Sequence, residues 1–533
     1  VNMKIFKIIL LNLLILSASL GATLKEDSAK LLTKSFKTKE KTIIELTANY
    51  SENEKLEFLF QKMLKGELYY TKSDKTIVYV KEKVEDNYQT TNIFTNEDLK
   101  LSSKYDFKKI KINNKLRSII KSSLAKINLF SKNEDRRFKS AKNLLTNLDI
   151  DNEALINEVL ATEKSSKVKE VLEEASAALI AKFKNGAEQK EAIKKLGDYL
   201  SPKSLEVLTE ISTTSEDKEI VKLANTSLAS IETNRSFYSF LEQAFFGLSM
   251  GSVLLLAAIG LAVTFGVMKV INMAHGELIM IGAYTTYALQ QIMPNLIEYS
   301  IIVAIPAAFI VSGLVGIAIE RLVIRHLYGR PLETLLATFG ISLVLQQIVR
   351  TVFSPLNQEV KTPEWMSGAL EINSALSLTY NRLYIIIFSI IVFLFVLYIL
   401  NKTSLGLKVR AVSQNREIAR AMGIKASWID AITFGLGSGI AGVAGVALSQ
   451  LTNVGPNLGQ AYIVDSFMVV VFGGVGNLWG TLIAAFTLGE FNKFLEPVAG
   501  AVLAKVIILV FIILFIQKRP RGLFPQKGRD AQD

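Results

Sequence analysis

From Phe245 onward the chain consists mainly of long apolar runs separated by short basic loops. A run of about 20 apolar residues is long enough to cross the hydrocarbon core of a bilayer as a helix. Before Phe245 the sequence is rich in lysine, glutamate and asparagine, and its apolar stretches are short. The contrast predicts a soluble segment followed by an all-α polytopic membrane segment, because only helices or closed barrels satisfy the backbone inside lipid.

The length and charge of the second half allow the crossings to be assigned. Single spans are predicted at Phe245–Val267, Glu277–Ile292, Ser300–Ile319, Leu335–Phe353, Leu383–Leu400, Trp428–Gln450 and Val498–Ile516. The region Val464–Gly489 is long enough for one crossing or two. Lys and Arg mark loops on the cytoplasmic side. The basic loops and the basic C-terminal segment share that side only if Val464–Gly489 crosses twice. We therefore expect about nine membrane segments, some of them broken, with hinge glycines at Gly473, Gly474 and Gly476.

The first residues, "VNMKIFKIILLNLLILSASLGA", place Lys4 and Lys7 before an apolar run that ends in small residues. This order is typical of a secretory signal peptide, predicted here over residues 1–22. The alternative is an uncleaved N-terminal anchor. Both predict that residues 23–235 are exported, followed by a transmembrane domain over residues 236–524 and a cytoplasmic tail over residues 525–533.

The exported segment is predicted to be mostly α-helical with a small β part. Alternation in Gly66–Val84 indicates one or two strands around a turn at Ser73 and Asp74. Apolar residues at helical spacing predict a helix over Ile112–Phe130. Similar amphipathic patterns that begin at Glu134, Ser165 and Glu216 suggest a HEAT-like helical repeat. No residue of this segment suggests chemistry, although a docking surface remains open.

Composition and motifs exclude several functions. The chain has no cysteine. Its net charge is +12, and the basic residues of its second half cluster in short loops between apolar runs, which favours membrane orientation over nucleic-acid binding. No Gly-x-x-x-x-Gly-Lys-Ser/Thr sequence occurs, so we expect no ATP-binding motif and no enzymatic activity of the chain's own. The Gly437-x-Gly439-x-x-Gly442 pattern is interpreted as helix packing, because no strand precedes it. Only two histidines occur, so we expect no metal and no cofactor.

Polar residues between or inside the apolar runs are candidates for a transport pathway. The stretch "VINMAHGELIMIGAY" begins at Val270, and its asparagine suits the cap of a helix whose first turn carries a glutamate. We interpret it as a broken helix end beside the pathway. The pathway candidates are Asn272, His275, Glu277, Gln346, Gln347, Asn453 and Asn457. Polar side chains in helix bundles also join helices, which is the structural alternative for each of them.

Lys505 lies inside the last apolar run, where an ionisable residue suggests function. Two structural alternatives stay open for it. Its side chain would reach the outer interface, or it would pair with Glu490 or Glu496.

The longest inside loop, Ser404–Asp430, carries the signature of a short amphipathic helix. Asn415 suits its N-cap, Glu417 its first turn and Gly423 its end. Ile418, Ala421 and Met422 would form a small apolar face. Such a face suits a groove on a protein partner better than a lipid surface, because it buries little area in lipid.

Residues Gly406–Ile424 resemble the cytoplasmic coupling loop of ABC importer permeases of the branched-chain amino acid type. The segments "INMAHGE" at Ile271, "RPL" at Arg330 and "GGVGN" at Gly473 fit the same family. The resemblance covers Phe245 to about Phe524. It implies that the loop docks onto an ATP-binding subunit. The implied coupling residues are Arg410, Gln414, Asn415, Arg416, Glu417, Ala419, Arg420, Met422 and Gly423.

Longer segments are similar to the B-type permease of urea ABC transporters. They include "RHLYGRPLETLLATFGISLVLQQIVR" from Arg325, "GPNLGQAYIVDSFMVVVFGGVGNLWG" from Gly455 and "FIQKRPRGLF" from Phe515. This similarity implies a permease in the bacterial inner membrane that moves urea by alternating access. Its partners would be two cytoplasmic ATPases, a second permease and a periplasmic binding protein.

Three alternatives remain open at this point. The chain would instead be a permease for branched-chain amino acids or short amides, a passive urea channel, or a membrane sensor. A substrate with a carboxylate would need a fixed cation or a helix N-terminus in the pathway. Dependence of uptake on ATP separates an importer from a channel.

Overall fold

A computed structural model describes residues 23–51, 53–84 and 86–525 of the chain. The predicted signal peptide and most of the predicted cytoplasmic tail lie outside the described residues. The chain divides into two compact units, with the boundary between Asn234 and Arg235.

The first unit begins with three helices and a five-stranded antiparallel sheet. The helices are α1 (Leu24–Ser28), α2 (Phe36–Asn49) and α3 (Glu54–Lys65). The strands are β1 (Leu68–Thr71), β2 (Ile77–Val84), β3 (Asn87–Asn92), β4 (Ser102–Ser103) and β5 (Phe107–Lys109), in the order β4-β3-β2-β1-β5. The turn between β1 and β2 is closed by Asp74, which accepts hydrogen bonds from the hydroxyls of Thr71, Ser73 and Thr76. The predicted strand pair is therefore present, but the sheet is larger than predicted.

Six further helices complete the first unit before a long helix begins. They are α4 (Asn114–Leu129), α5 (Glu134–Thr146), α6 (Glu153–Leu160), α7 (Ser166–Phe183), α8 (Ala187–Leu196) and α9 (Pro202–Thr214). α4, α5 and α7 begin within two residues of the predicted positions. α6, α8 and α9 were not predicted. The helix expected from Glu216 is the start of α10 (Lys218–Met268), which continues past the boundary between the units without a break.

The second unit contains the apolar runs. After α10 come α11 (His275–Ile292), α12 (Ile297–Leu322), α13 (Pro331–Phe353), α14 (Tyr380–Lys402), α15 (Ser404–Gln414), α16 (Arg416–Ala421), α17 (Ala426–Ser449), α18 (Leu458–Gly473), α19 (Leu478–Ala499) and α20 (Ala501–Lys518). Among the described residues, six helices are long and apolar enough to cross a membrane: α10, α12, α13, α14, α17 and α20. A polytopic helical unit is therefore confirmed, whereas a total of about nine segments stays a prediction.

Glycines allow the backbone of α17 to contact the backbones of neighbouring helices directly. A Cβ on Gly282 of α11 would lie 2.0 Å from the carbonyl oxygen of Gly442, and one on Gly437 would lie 2.6 Å from that of Gly260. Such approaches exclude any side chain larger than hydrogen. The glycine pattern of α17 is thus a packing face, as predicted.

A small hairpin was not predicted. Strands β6 (Ala369–Asn373) and β7 (Leu376–Thr379) lie between α13 and α14 and pair antiparallel. The loop that precedes them is tied to the loop after α17, because Gln358 and Val454 exchange two backbone hydrogen bonds of 2.7 and 2.8 Å. The hairpin was missed because its strands are short and half-exposed, with no run of β-branched residues.

Candidate functional site

Helix α11 begins deep inside the second unit rather than at its surface. The His275 Nε2 atom lies 2.9 Å from the carbonyl oxygen of Ala257, which stands eleven positions before the end of α10 at Met268. Eleven helical residues span roughly 16 Å at a rise of about 1.5 Å per residue. Between Met268 and His275 the chain therefore returns by that distance along α10. Residues 269–274 are therefore a non-helical segment, and the first turn of α11 is enclosed by protein.

Two predicted pathway residues lie at the start of α11, but the prediction that Asn272 caps this helix is wrong, because Ala274 holds the N-cap position and no side chain caps the helix. Asn272 is buried, and its Oδ1 accepts a 3.0 Å hydrogen bond from the backbone N–H of Ala274. His275 is fully buried, and because a carbonyl can only accept, its Nε2 must carry the proton donated to Ala257. The Asn272 Nδ2 and the His275 Nδ1 atoms have no hydrogen-bond partner among the described residues. Buried polar atoms without partners are rare in proteins and call for an explanation.

Glu277 lies two residues further along and faces α13. Its Oε1 atom accepts hydrogen bonds from Ser342 Oγ at 2.9 Å and from Gln346 Nε2 at 2.7 Å. The Oε2 atom is buried and has no hydrogen-bond partner within the described part of the chain. All three side chains are almost completely inaccessible to solvent. The cluster therefore presents one free carboxylate oxygen inside the helix bundle.

Arg350 extends this polar face toward the end of α13. It stands one turn beyond Gln346, and its Nη2 donates a 2.7 Å hydrogen bond to Asn457 Oδ1. Gln347 and Asn453 are exposed, and among the described residues no hydrogen bond joins them to the cluster. Three of the seven predicted pathway residues, Glu277, Gln346 and Asn457, thus lie along this face of α13, whereas His275 is directed to α10 and Asn272 bonds to the adjacent backbone. Arg350 and Ser342 were not predicted.

The predicted coupling loop folds as two helices. The helix α15 was not predicted, whereas α16 begins after Asn415, whose Oδ1 caps the N–H of Ile418 at 3.0 Å. Gly423 follows α16 with φ +83°, and the N–H of Ile424 bonds to the carbonyl of Ala419 at 3.0 Å. This is the hydrogen-bonding pattern of a glycine-terminated helix.

The residues of α16 divide into an outward and an inward set. Ile418 and Met422 are 61% and 79% exposed, and Arg420 is also exposed. Ala419 is buried in a small apolar core with Val409, Val412, Ala426 and Ile429. The outward set is the apolar surface that the sequence predicts for a partner.

Arg416 belongs to the inward set. Its guanidinium donates to both carboxylate oxygens of Asp430 in α17 and lies 4.0 Å from the ring centre of Tyr328. The sequence treats Arg416 and Arg420 alike as charges that meet a partner. That grouping does not hold, because only Arg420 faces outward and Arg416 is held inside the protein.

The glycines at Gly473, Gly474 and Gly476 form the turn between α18 and α19. Gly474 and Gly476 have φ of +103° and +77°, which side chains rarely adopt. The backbone N–H groups of Leu523 and Phe524 bond to the carbonyls of Phe472 and Gly473 at 2.9 and 3.1 Å. Any movement of this turn would therefore move the segment after α20 with it.

An ion pair joins two apolar helices. Lys505 Nζ of α20 lies 3.1 Å from Asp465 Oδ2 of α18, and Asp465 is buried. The sequence offered Glu490 or Glu496 as partners, but Glu496 pairs with Lys493 at 2.5 Å. Asp465 was overlooked because it is a single charged residue in an apolar run whose sequence fits either one membrane crossing or two. No group of three His, Cys, Asp or Glu side chains that could hold a metal occurs in the part of the chain that the structure describes.

The family model described as the permease component of branched-chain amino acid transport systems matches residues 243–516. The chain belongs to this family. The permease is 28% identical to the high-affinity branched-chain amino acid transport permease BraD of Pseudomonas aeruginosa over 54% of its own length and 96% of the relative's. It is 28% identical to LivH of Escherichia coli K12, over 54% of its own length and 97% of the length of LivH. It is 27% identical to the ribose import permease RbsC of the same strain, over 41% of its own length and 68% of the length of RbsC. No solved structure matches it.

Membership in this family confirms the coarser predictions. The chain is a permease component of an ABC transporter, and ATP hydrolysis belongs to partner subunits. Permeases of this kind are multi-pass proteins of the inner membrane that work with ATPases and a substrate-binding protein. The finer prediction, urea as the substrate of a B-type subunit, gains no support from the relatives named above, and the branched-chain amino acid alternative fits them better.

Proposed function

We propose that the permease forms the membrane path of an ATP-driven importer for branched-chain amino acids. The observation that carries this proposal is the free Oε2 atom of Glu277, buried at the start of α11. Family membership supplies the reaction class, and this polar face supplies the argument for the substrate.

An amino acid crosses the membrane as a zwitterion, so its path must meet an ammonium and a carboxylate. The unpaired Glu277 oxygen is an acceptor for an ammonium group, and a charge-assisted hydrogen bond of this kind is among the stronger ones. The substrate carboxylate has two candidate partners, the N-terminal turn of α11 and the guanidinium of Arg350. The apolar walls of α10 and α17 suit an aliphatic side chain.

Urea, the substrate that the sequence resemblance implies, makes a poorer fit to this face. Urea is neutral, so neutral amide groups would bind it as well as a buried carboxylate and an arginine would. Burial of the Glu277 carboxylate is expensive unless it meets an opposite charge. The relatives described above point in the same direction, since the names of BraD and LivH specify branched-chain amino acids.

We further propose that α16 is the element through which partner ATPases drive alternating access. Ile418 and Met422 expose apolar area on a short helix bounded by its own cap and glycine, which fits a groove on a protein. On this proposal α16 faces the cytoplasm, as the basic loops indicate. Two ATPases, a second permease and a periplasmic binding protein would complete the importer.

The soluble unit that precedes the membrane unit is proposed to be exported, with residues 1–22 as its signal peptide. The charge distribution of the sequence supports this orientation. We propose a docking role for it.

Uptake competition tests the proposed substrate. The permease would be reconstituted in liposomes with its ATPases and binding protein, and uptake of radiolabelled leucine measured with and without ATP. We expect ATP-dependent uptake that excess isoleucine or valine suppresses and excess urea leaves unchanged. Suppression by urea would restore the urea assignment, whereas uptake without ATP would indicate a passive channel.

A further inference from the structure

The seam between α11 and α13 changes from polar to aromatic along its length. At one end, Glu277 of α11 accepts the hydrogen bond from Gln346 of α13. Seven residues further along each helix stand Tyr284 and Phe353, whose ring centres lie 4.9 Å apart. Residues seven positions apart share one face of a helix, and at about 1.5 Å per residue they are roughly 10 Å apart. The polar and the aromatic pair therefore belong to one continuous seam.

A third ring completes an aromatic cluster, here named the aromatic plug, which consists of Tyr284, Tyr287 and Phe353. The ring centre of Tyr287 lies 6.4 and 6.2 Å from those of the other two, and its plane is nearly perpendicular to both. Distances and angles of this kind are favourable for aromatic rings. Met280 and Val349, which stand between the polar pair and the plug, are buried in the same apolar core. The plug thus closes the seam on the side of Glu277 toward the end of α11.

The segment 454–458, which leads into α18, shares this core and is held at both of its ends. Its Val454 lies in one apolar core with Tyr284 and exchanges two backbone hydrogen bonds with the loop after α13. At the other end, Asn457 accepts the 2.7 Å hydrogen bond from Arg350 of α13. The packed state of the plug is therefore tied to the position of α18 relative to α13.

Two features make the packed plug less stable than it could be. Tyr284 is only 2% exposed, and its hydroxyl has no hydrogen-bond partner among the described residues. Phenylalanine would fill the same space without leaving a polar group unsatisfied. Directly after Phe353, Ser354 has φ +105°, a strained conformation for a residue with a side chain. Separation of the rings would let water reach the hydroxyl and let the end of α13 relax.

We propose that the aromatic plug is the outer gate of the transport path, whose rings separate to admit substrate to Glu277 and then close behind it. Residues 293–296, which follow α11, contain no lysine or arginine, so the charge rule indicates the side opposite the basic loops. Packed ring faces block a charged ammonium or carboxylate, because they offer it no hydrogen bond. This inference rests on the proposed function and adds the barrier that the substrate meets first.

A thiol placed behind the plug tests the gate directly. The chain has no cysteine, so Met280→Cys introduces a single thiol at a fully buried position between the plug and Glu277. The full permease would be produced with its partner subunits in bacterial spheroplasts, whose accessible membrane face is the periplasmic one. The measured quantity is the rate at which a membrane-impermeant methanethiosulfonate reagent, added outside, modifies this thiol.

Phe353→Leu should open the gate, and Phe393→Leu is its matched control. Phe393 of α14 is also buried, with its ring 5.4 Å from that of Trp479, but it belongs to a different apolar core. In the Met280→Cys background we expect Phe353→Leu to accelerate modification about tenfold and Phe393→Leu to leave the rate unchanged. Equal acceleration in both variants would indicate general loosening of the bundle and would overturn the inference.

Tyr284→Phe tests the gate in the opposite direction and decides if Phe353→Leu is not inserted. It removes the unsatisfied hydroxyl from the packed state, so modification should become roughly fivefold slower than in Met280→Cys alone. A ring that serves only as core packing predicts an unchanged rate, which would overturn the inference. Faster modification from the cytoplasmic face, measured in inside-out vesicles, would overturn it as well. Modification does not require leucine, so failure of leucine uptake would count against the proposed function and leave the gate result readable.

Discussion

At the scale of single residues, the chemistry of the permease is concentrated in buried polar atoms whose partners are incomplete. Glu277 has one oxygen bonded to Ser342 and Gln346 and one oxygen free. A purely structural carboxylate would be expected to have both oxygens satisfied. The half-satisfied state is what a site that receives a donor from a substrate would show.

Glu277→Gln tests this interpretation. The amide oxygen of glutamine can still accept from Ser342 and Gln346, so we expect normal expression and assembly. The negative charge is lost and the free position becomes an N–H donor, which would repel an ammonium. ATP-dependent leucine uptake should fall at least about tenfold, consistent with the loss of one charge-assisted hydrogen bond. Gln347→Asn, at an exposed position beside Gln346, serves as the control and should transport normally. Full activity of Glu277→Gln would show that its carboxylate only joins helices.

At the scale of elements, α16 depends on a sharp end at Gly423. Its φ of +83° and the hydrogen bond from its N–H to Arg420 at 3.0 Å are both unavailable to proline. Gly423→Pro should therefore displace Ile418 and Met422 and stop ATP-dependent uptake.

Gly500→Pro is the matched control for Gly423→Pro. Gly500 has φ +80° and an N–H bonded to Glu496 at 2.8 Å, and its Cβ would meet open space as at Gly423. The strain is thus comparable, but the position lies between α19 and α20, away from α16. We expect insertion of both variants by membrane fractionation and loss of uptake only in Gly423→Pro. Equal loss in the two variants would argue against a special role for α16.

Elements were predictable from the sequence where one periodic signal was strong. Hydropathy predicted the long spans, and cap chemistry predicted α16 from Asn415 to Gly423. Pairings across the fold were not predictable. Glu277 and Gln346 stand 69 positions apart, and Lys505 meets Asp465 over 40 positions, so nothing local indicates either contact. Arg416 and Arg420 share one helix and one charge, and only the packing of α16 separates their roles.

At the scale of the whole molecule, the chain divides into two compact units. The first unit has its own apolar core, which includes Ile43, Phe60, Leu68 and Ile120. We therefore expect a fragment over residues 23–234 to fold alone and to unfold in one cooperative thermal transition, measured by circular dichroism. A flat, gradual melt would contradict this expectation.

The stability of that fragment should depend on pH through Glu174. Burial raises the pKa of its carboxyl above the ordinary 4.5, although the hydroxyls of Ser201 and Ser204 donate to it. The folded state then binds the proton more tightly than the unfolded state. The contribution of Glu174 is full below pH 4.5 and is lost as the pH rises through the raised pKa. Glu174→Gln should remove this loss of stability from denaturation curves recorded between pH 4 and about 7.

The deep start of α11 also affects the order of synthesis. α11 reaches the membrane with Glu277 in its first turn, before Ser342 and Gln346 of α13 have been made. Its packing partners on α17 follow later still, because Gly442 and Gly445 lie more than a hundred residues downstream. Taken alone, the helix would bring an uncompensated carboxylate into lipid. We therefore expect stable insertion of α11 to follow the synthesis of α13, which supplies the hydrogen-bond donors to Glu277.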